Sequence, residues 1–308
     1  MKLQKRALIC VCVSLGIMLI AVIMSLCGYG INYGIDFAGG LSLQFNLNQT
    51  FEQADVEAIL QEQGIAQHTV SKVGDQGQTL QIRVPTLSGD DEIQALQTEL
   101  EAKLLAKYPN MDTTTATASY VGPVAGATLV RNAVLSVLIA SALMLVYIAF
   151  RFDLFSGIAA VIGLLHDVCI MISFMVLLRS VVQMNSSFIA AMLTIVGYSI
   201  NNTIVIFDRI RENNRKPAYN GLSRVEVVNL SVRESLGRTI NTTLTTLVTI
   251  VTLYILGVDS IREFSLPIII GILSGAYSAN LINGYVWAAL EEGRRDRKGQ
   301  KKLKPQKA

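Results

Sequence analysis

Arg238, Thr242, Thr245, Thr249 and Thr252 fall at steps of four, three, four and three in a stretch otherwise rich in Leu, Ile and Val. On an α-helix that spacing puts all five on one face, so a polar stripe starts at a guanidinium and runs along an apolar rod. An unpaired arginine deep in a bilayer costs at least ~2.5 kcal/mol on insertion scales. Arg238 therefore either snorkels from a position near the end of its apolar stretch, or faces a partner or a wet cavity. A second run, GYSINNTIVIFDRIREN over residues 197–213, sets the adjacent amides Asn201 and Asn202 in the middle of another apolar segment. Such amides either join helices by hydrogen bonds or line a polar interior. Asp208, Arg209, Arg211 and Glu212 close the run, where snorkelling, ion pairing and topology account for them. His166 and Asp167 in a third apolar block, and Asn280 and Asn283 in a further one, are candidates for the same interior. The first two read equally as a structural pair or a proton relay.

The chemistry these groups could do is to hold or move a proton or cation, not to break covalent bonds. The sequence has no nucleophile elbow, no intramembrane HExxH and no nucleotide loop. The only histidine besides His166 is His68, which argues against zinc, and neither a metal nor a cofactor is expected. Two glycine runs complete the inventory: Gly34, Ile35, Asp36, Phe37, Ala38, Gly39, Gly40, and Val121, Gly122, Pro123, Val124, Ala125, Gly126. Neither has Walker or Rossmann spacing. They read as tight turns where chain leaves a membrane and enters a sheet.

The elements that must position these groups follow from hydropathy. The 308-residue chain is 51% hydrophobic and 16% charged, with a mean hydropathy of +0.45, and its apolar residues fall in blocks. That is the composition of a membrane protein. Residues 7–26 follow Lys2, Lys5 and Arg6 and read as an uncleaved signal anchor; five further blocks, at residues 127–150, 154–178, 188–207, 236–255 and 266–290, can span. Lys and Arg cluster at the N-terminus, at Arg151, between Arg209 and Arg233, and beyond Arg294, which puts both termini in the cytoplasm. The basic tail past Arg294 is expected to be disordered and to attract anionic headgroups. No cysteine is placed to form a structural disulfide, since Cys10, Cys12, Cys27 and Cys169 all lie in apolar blocks.

Residues 32–122 carry only Lys72, Arg83, Lys103 and Lys107 against about a dozen acids, and they alternate elements of a soluble domain. Leu41, Leu43, Phe45 and Leu47 alternate as a strand. Thr50 and Gln53 read as a capping box for a helix ending at Gly64, with Phe51, Val56, Ile59 and Leu60 as its apolar face. Residues 70–73 and 80–84 form two strands around a turn at Asp75, Gln76 and Gly77; a helix follows over residues 90–108, and a last strand over 113–121. The order βαββαβ is the ferredoxin-like split βαβ unit. The expected organisation is a cytoplasmic N-terminus and first helix (residues 1–29), an extracytoplasmic α+β domain (30–123), a five-helix transmembrane bundle (124–291) and a basic cytoplasmic tail (292–308).

With the GIDFAGG and VGPVAG runs, the fourth-span run 197–213 and Arg238 opening the fifth span, the chain resembles the SecD/SecF family of protein-export membrane proteins, on its shorter, SecF side. The resemblance implies a six-helix transporter fold of the resistance-nodulation-division type in a bacterial inner membrane. It also implies work with SecD on the SecYEG channel, with YajC as a further expected partner. The task implied is ion-gradient-driven export of a translocating preprotein, with no nucleic acid involved and the lipid bilayer as surroundings. The family's fourth-span motif usually has an aspartate where this chain has Asn202, as the titratable partner of the fifth-span arginine. An amide carries no proton in the working range. Three readings stay open: the titrating acid lies on SecD, or Asp167 or Asp208 substitutes, or the coupling ion is not a proton. The competing functions are a subunit of a different exporter of the same fold, for lipid or small molecules, and a non-transporting scaffold with a sensor domain.

Overall fold

Two periodicities run through the chain, and each produces its own compact unit. The computed structural model describes residues 2–65, 68–73, 77–84, 90–180, 182–219 and 221–303. One unit comprises Tyr33–Ala133 with Gln183–Ser186, and the other the remaining apolar helices.

Helix α1 covers Lys2–Leu26, and a single turn, α2, covers Ile35–Ala38. In the α+β unit, β1 (Gly40–Asn46), α3 (Gln53–Glu62), β2 (Thr69–Val73), β3 (Thr79–Val84), α4 (Asp90–Lys107) and β4 (Asp112–Val121) follow in order. The sheet order is β2-β3-β1-β4 with every neighbour antiparallel, which is the ferredoxin-like topology. The register opposes Leu41 to Val84, Leu43 to Ile82 and Phe45 to Leu80. The period of two therefore sends all six to one face, where they pack with Val56, Ile59 and Leu60 of α3 and Leu100 and Leu104 of α4. The other face of β1 and β3 carries Ser42, Gln44, Gln81 and Arg83. At the head of β4, Thr114 donates its backbone N–H and its hydroxyl to Asp112, which holds that carboxyl below its ordinary pKa.

One local expectation is corrected. Thr50 and Gln53 form no capping box: the N-cap of α3 is Glu52, with no side-chain cap. The start is set instead by burial, since Phe51 at N′ and Val56 at N4 occupy the positions of a hydrophobic staple and lie in one core cluster. The turn expected at Asp75 and Gln76 lies outside the described residues, while Gly77 has φ 60°.

Of the remaining helices, α5 covers Pro123–Arg151, α6 Leu154–Leu177, α7 Ser186–Arg215, α8 Arg224–Leu256, α9 Asp259–Ser278 and α10 Gly284–Leu303, with a π turn at Ala279–Asn283 between the last two. Six helical stretches among the described residues are long and apolar enough to cross a membrane. Helix α6 packs on α1 and α9, and α8 on α9 and α10. In the most apolar 18-residue stretches, half or more of the α6, α7 and α9–α10 spans is buried, whereas only 11% of the α8 span is. Asp153 caps α6 by accepting from the Ser156 N–H at 2.8 Å, and Ser223 with Glu226 forms a complete capping box on α8. That cap starts α8 twelve residues before the apolar stretch at 236. The tail expected to be disordered instead continues α10 to Leu303. Its Arg, Lys and Gln are good helix formers, and no proline intervenes before Pro305.

Candidate functional site

An aspartate with no exposed surface near the middle of an apolar helix must be hydrogen-bonded on all sides to be tolerated. Asp167 of α6 is such a residue, at 0% exposure. Its Oδ1 accepts from Ser274 Oγ at 2.7 Å and lies 3.0 Å from His166 Nδ1. Its Oδ2 accepts from Ser199 Oγ at 2.5 Å and Ser278 Oγ at 2.9 Å. Three helices thus meet at one carboxylate: α6 supplies it, α7 supplies Ser199, and α9 supplies Ser274 and Ser278 one turn apart. Small hydroxyl side chains let the backbones approach and still provide donors, as membrane bundles require.

The adjacent imidazole extends the network toward α1. His166 Nε2 lies 2.7 Å from the Tyr277 hydroxyl, and the two rings meet edge to face with centroids 5.3 Å apart. Tyr277 Oη in turn bonds Ser14 Oγ, which also bonds the Cys10 carbonyl at 3.0 Å. Ser14, Ser274 and Tyr277 border a cavity of about 370 Å³ whose other walls include Val13, Ile17, Ile170 and Phe174.

On the far side of Ser199 a second polar set is formed. Thr203 donates to the Ser199 carbonyl at 3.0 Å and accepts from Asn283 Nδ2 at 2.8 Å. Thr239 of α8 donates to Asn280 Oδ1 at 3.2 Å. The π turn therefore turns Asn280 and Asn283 inward, where the sequence places them. Asn202 is 1% exposed, yet among the described residues its Nδ2 has no hydrogen-bond partner, and neither does the buried Thr243 Oγ1.

The structure separates the other predicted residues. Arg238 and Asn201 are exposed, and among the described residues no hydrogen bond joins Arg238 to Asn201 or Asn202. The stripe threonines turn their hydroxyls back onto their own helix: Thr242 to the Arg238 carbonyl at 2.8 Å, Thr249 to Thr245 at 3.1 Å, Thr252 to Val248 at 2.8 Å. A stripe so satisfied can face lipid or a protein partner without loss. Asp208 is exposed and lies 3.9 Å from Arg151, while Arg209 bonds Glu234 at 2.7 Å and Glu212 at 2.5 Å. These charges pair at the helix end.

The glycine runs meet within the α+β unit. Gly39 and Gly40 have φ of 74° and 113°, a region that side chains disfavour. Gly34 N–H donates to the Met184 carbonyl at 2.8 Å, and Asp36 accepts from the Ser186 N–H at 2.8 Å. In the second run the Gly122 carbonyl accepts from the N–H groups of Ala125 and Gly126, and Pro123 opens α5. A Cβ on Gly126 would come 2.9 Å from the Phe37 carbonyl oxygen, so this glycine lets the runs touch. Sequence reasoning missed Ser14, Ser199, Ser274, Tyr277 and Ser278. The spacing of Ser274, Tyr277 and Ser278 on one face was the available signal.

Comparison with known proteins gives a consistent pattern. Residues 101–293 match the model of protein export membrane protein SecD/SecF, C-terminal, and residues 25–50 that of the SecD/SecF GG motif. The protein translocase subunit SecF of Rickettsia bellii is 36% identical over 256 residues, 83% of this chain and 82% of that one. SecF of Thermodesulfovibrio yellowstonii is 36% identical over 274 residues, 89% and 87% of the two chains. The crystal structure of SecDF from Thermus thermophilus, described as a translocon-associated membrane protein, superposes with a TM-score of 0.80 at 33% identity over 95% of this chain. This chain spans 39% of that SecDF chain.

Proposed function

This chain belongs to the SecD/SecF family of protein-export membrane proteins, and from that premise we propose that it works as the SecF subunit beside a SecD subunit at the Sec channel. In this reading it is a multi-pass membrane protein with both termini in the cytoplasm and the α+β unit on the far side. It helps move preproteins outward at the expense of an ion gradient and does no covalent chemistry. The relatives support SecF over the lipid or small-molecule exporter.

The observation that carries the pairing with SecD is the α8 surface. Helix α8, 33 residues long and apolar from residue 236 on, presents Arg238, Thr245, Thr249 and Thr252 on the outside of its own bundle. A guanidinium there calls for a partner that supplies its counter-charge, since lipid tails supply none. Because Asn202 carries no charge, that counter-charge comes from an acid on SecD. SecYEG, the preprotein and YajC follow as partners from the same premise.

The test is pulse-chase export of a signal-bearing preprotein in cells depleted of this chain and complemented with wild type or Arg238→Met at equal membrane levels. Export should slow on depletion and recover only with wild type. Normal export without the chain would end the translocase reading; full rescue by Arg238→Met would end the role given to the arginine.

A further inference from the structure

The line from Asp167 to α1 has four contacts: Asp167 Oδ1 to His166 Nδ1, His166 Nε2 to Tyr277 Oη, Tyr277 Oη to Ser14 Oγ, and Ser14 Oγ to the Cys10 carbonyl. Each contact needs one hydrogen. Tyr277 and Ser14 bring one each, and an ionised Asp167 with a neutral imidazole brings one more, which leaves one contact empty. A single additional proton on the Asp167–His166 pair fills all four. We propose that this pair is a one-proton site whose proton is relayed through the hydroxyls of Tyr277 and Ser14.

The transfer balances. In the unloaded state His166 holds its proton on Nδ1 toward Asp167, Tyr277 donates to Nε2, and Ser14 donates to Tyr277. A hydronium ion that meets Ser14 Oγ gives it a proton and becomes water. The former Ser14 proton moves to Tyr277 Oη, and the former Tyr277 proton moves to Nε2. The pair ends with one more proton, Tyr277 now donates to Ser14, and Ser14 donates to the Cys10 carbonyl. Unloading runs the same shifts backwards. The proton belongs to the coupled pair, whichever of the two residues carries it.

The surroundings favour a proton over a metal cation. Both carboxylate oxygens are already met by three serine hydroxyls and the imidazole at hydrogen-bond distances, which leaves no coordination position open. From α1 the titratable neighbour is Cys10, on α6 Cys169 follows two residues on, and from α9 it is Tyr277. Helix α7 and the π turn bring Ser199, Thr203 and Asn283. Among the described residues no Lys or Arg pairs with Asp167, so a proton is what neutralises it. The cavity of about 370 Å³ beside α1 is walled almost wholly by apolar side chains, so the polar line ends at Ser14 and the Cys10 carbonyl.

The inference deepens the export reading by giving this subunit a proton site of its own, but its test needs neither SecD nor preprotein. The chain has two histidines, so His68→Gln leaves His166 as the single imidazole. With 15N-histidine labelling, NMR of the full chain in lipid nanodiscs reports whether Nε2 bears a proton. Between about pH 9 and about pH 5, Nε2 should change from unprotonated to protonated in one step. Tyr277→Phe removes the partner of Nε2 in both states, the donor in the unloaded one and the acceptor in the loaded one, so it breaks the hydroxyl line and should slow exchange between the two forms about tenfold or more. With Tyr277 intact, an Nε2 that stays in one state over the whole range overturns the site, and an unchanged exchange rate in Tyr277→Phe overturns the relay. Export failing to depend on this chain would strike the functional reading and leave the titration standing.

Discussion

Asp36 accepts a hydrogen bond from the backbone N–H of Ser186 at 2.8 Å, so a residue of the first glycine run caps the start of a helix 150 positions later. The first N–H groups of α7 have no partner inside the helix, and a carboxylate there also meets the positive end of the helix dipole. Asp36→Ala should cost about 1 kcal/mol and raise amide exchange at Ser186, whereas Asp36→Asn, which keeps an acceptor oxygen, should cost only part of that. Hydrogen exchange with mass-spectrometric readout in nanodiscs separates the two variants; equal behaviour of both would mean that the cap is not held in the membrane.

Gly126→Ala places a methyl group 2.9 Å from the Phe37 carbonyl oxygen, too close without backbone movement. Overpacking of this kind costs about 1–3 kcal/mol. The expected outcome is faster proteolysis around residues 33–40, while Gly122→Ala, at a position with nothing within 4 Å of a Cβ, should leave the cleavage rate nearly unchanged.

Ser274→Ala removes one of the hydroxyls that donate to the buried Asp167. A hydrogen bond to a charged group contributes about 1.5–3 kcal/mol, and the carboxylate left behind cannot turn to water. Thermal unfolding in detergent should fall measurably, and combining Ser274→Ala with Asp167→Asn should restore part of the loss because the charge that needed the donor is gone.

Asn202 holds a buried amide whose Nδ2 bonds nothing among the described residues. Replacing an unsatisfied polar group by an apolar one of similar size is neutral or stabilising, by up to ~1 kcal/mol. Asn202→Leu should therefore keep or raise the stability of the isolated chain. Thermal unfolding in detergent measures this, and a clear loss of stability in Asn202→Leu would mean that the amide contributes to the fold.

Much of the architecture was legible because it rests on strong periodicities. Leu41, Leu43 and Phe45 alternate, and they do lie on one buried face of β1. The apolar blocks became helices because a bilayer leaves the backbone no other way to satisfy its polar groups. Spacing says that Arg238 and the threonines share a face, but not where that face points, since orientation depends on which neighbours fill the groove. Nor did Thr50 and Gln53 reveal that burial of Phe51 would outweigh the cap. The serines around Asp167 were invisible for another reason: a serine in a membrane helix is common and nearly free of cost when it bonds its own backbone. Only their convergence from α7 and α9 onto a carboxylate in α6 distinguishes them.

The wide turn at Ala279–Asn283 makes one transmembrane rod serve two sets of clients. Before it, Ser274, Tyr277 and Ser278 point at the Asp167–His166 pair; at its last residue, Asn283 reaches Thr203 on α7. One residue more per turn shifts everything downstream by about 100° around the axis. Sliding this defect by a residue would swing one set of contacts out of reach while leaving the other in place. The last span is thus built like a crankshaft, with its offset at the level where a change of charge would be felt.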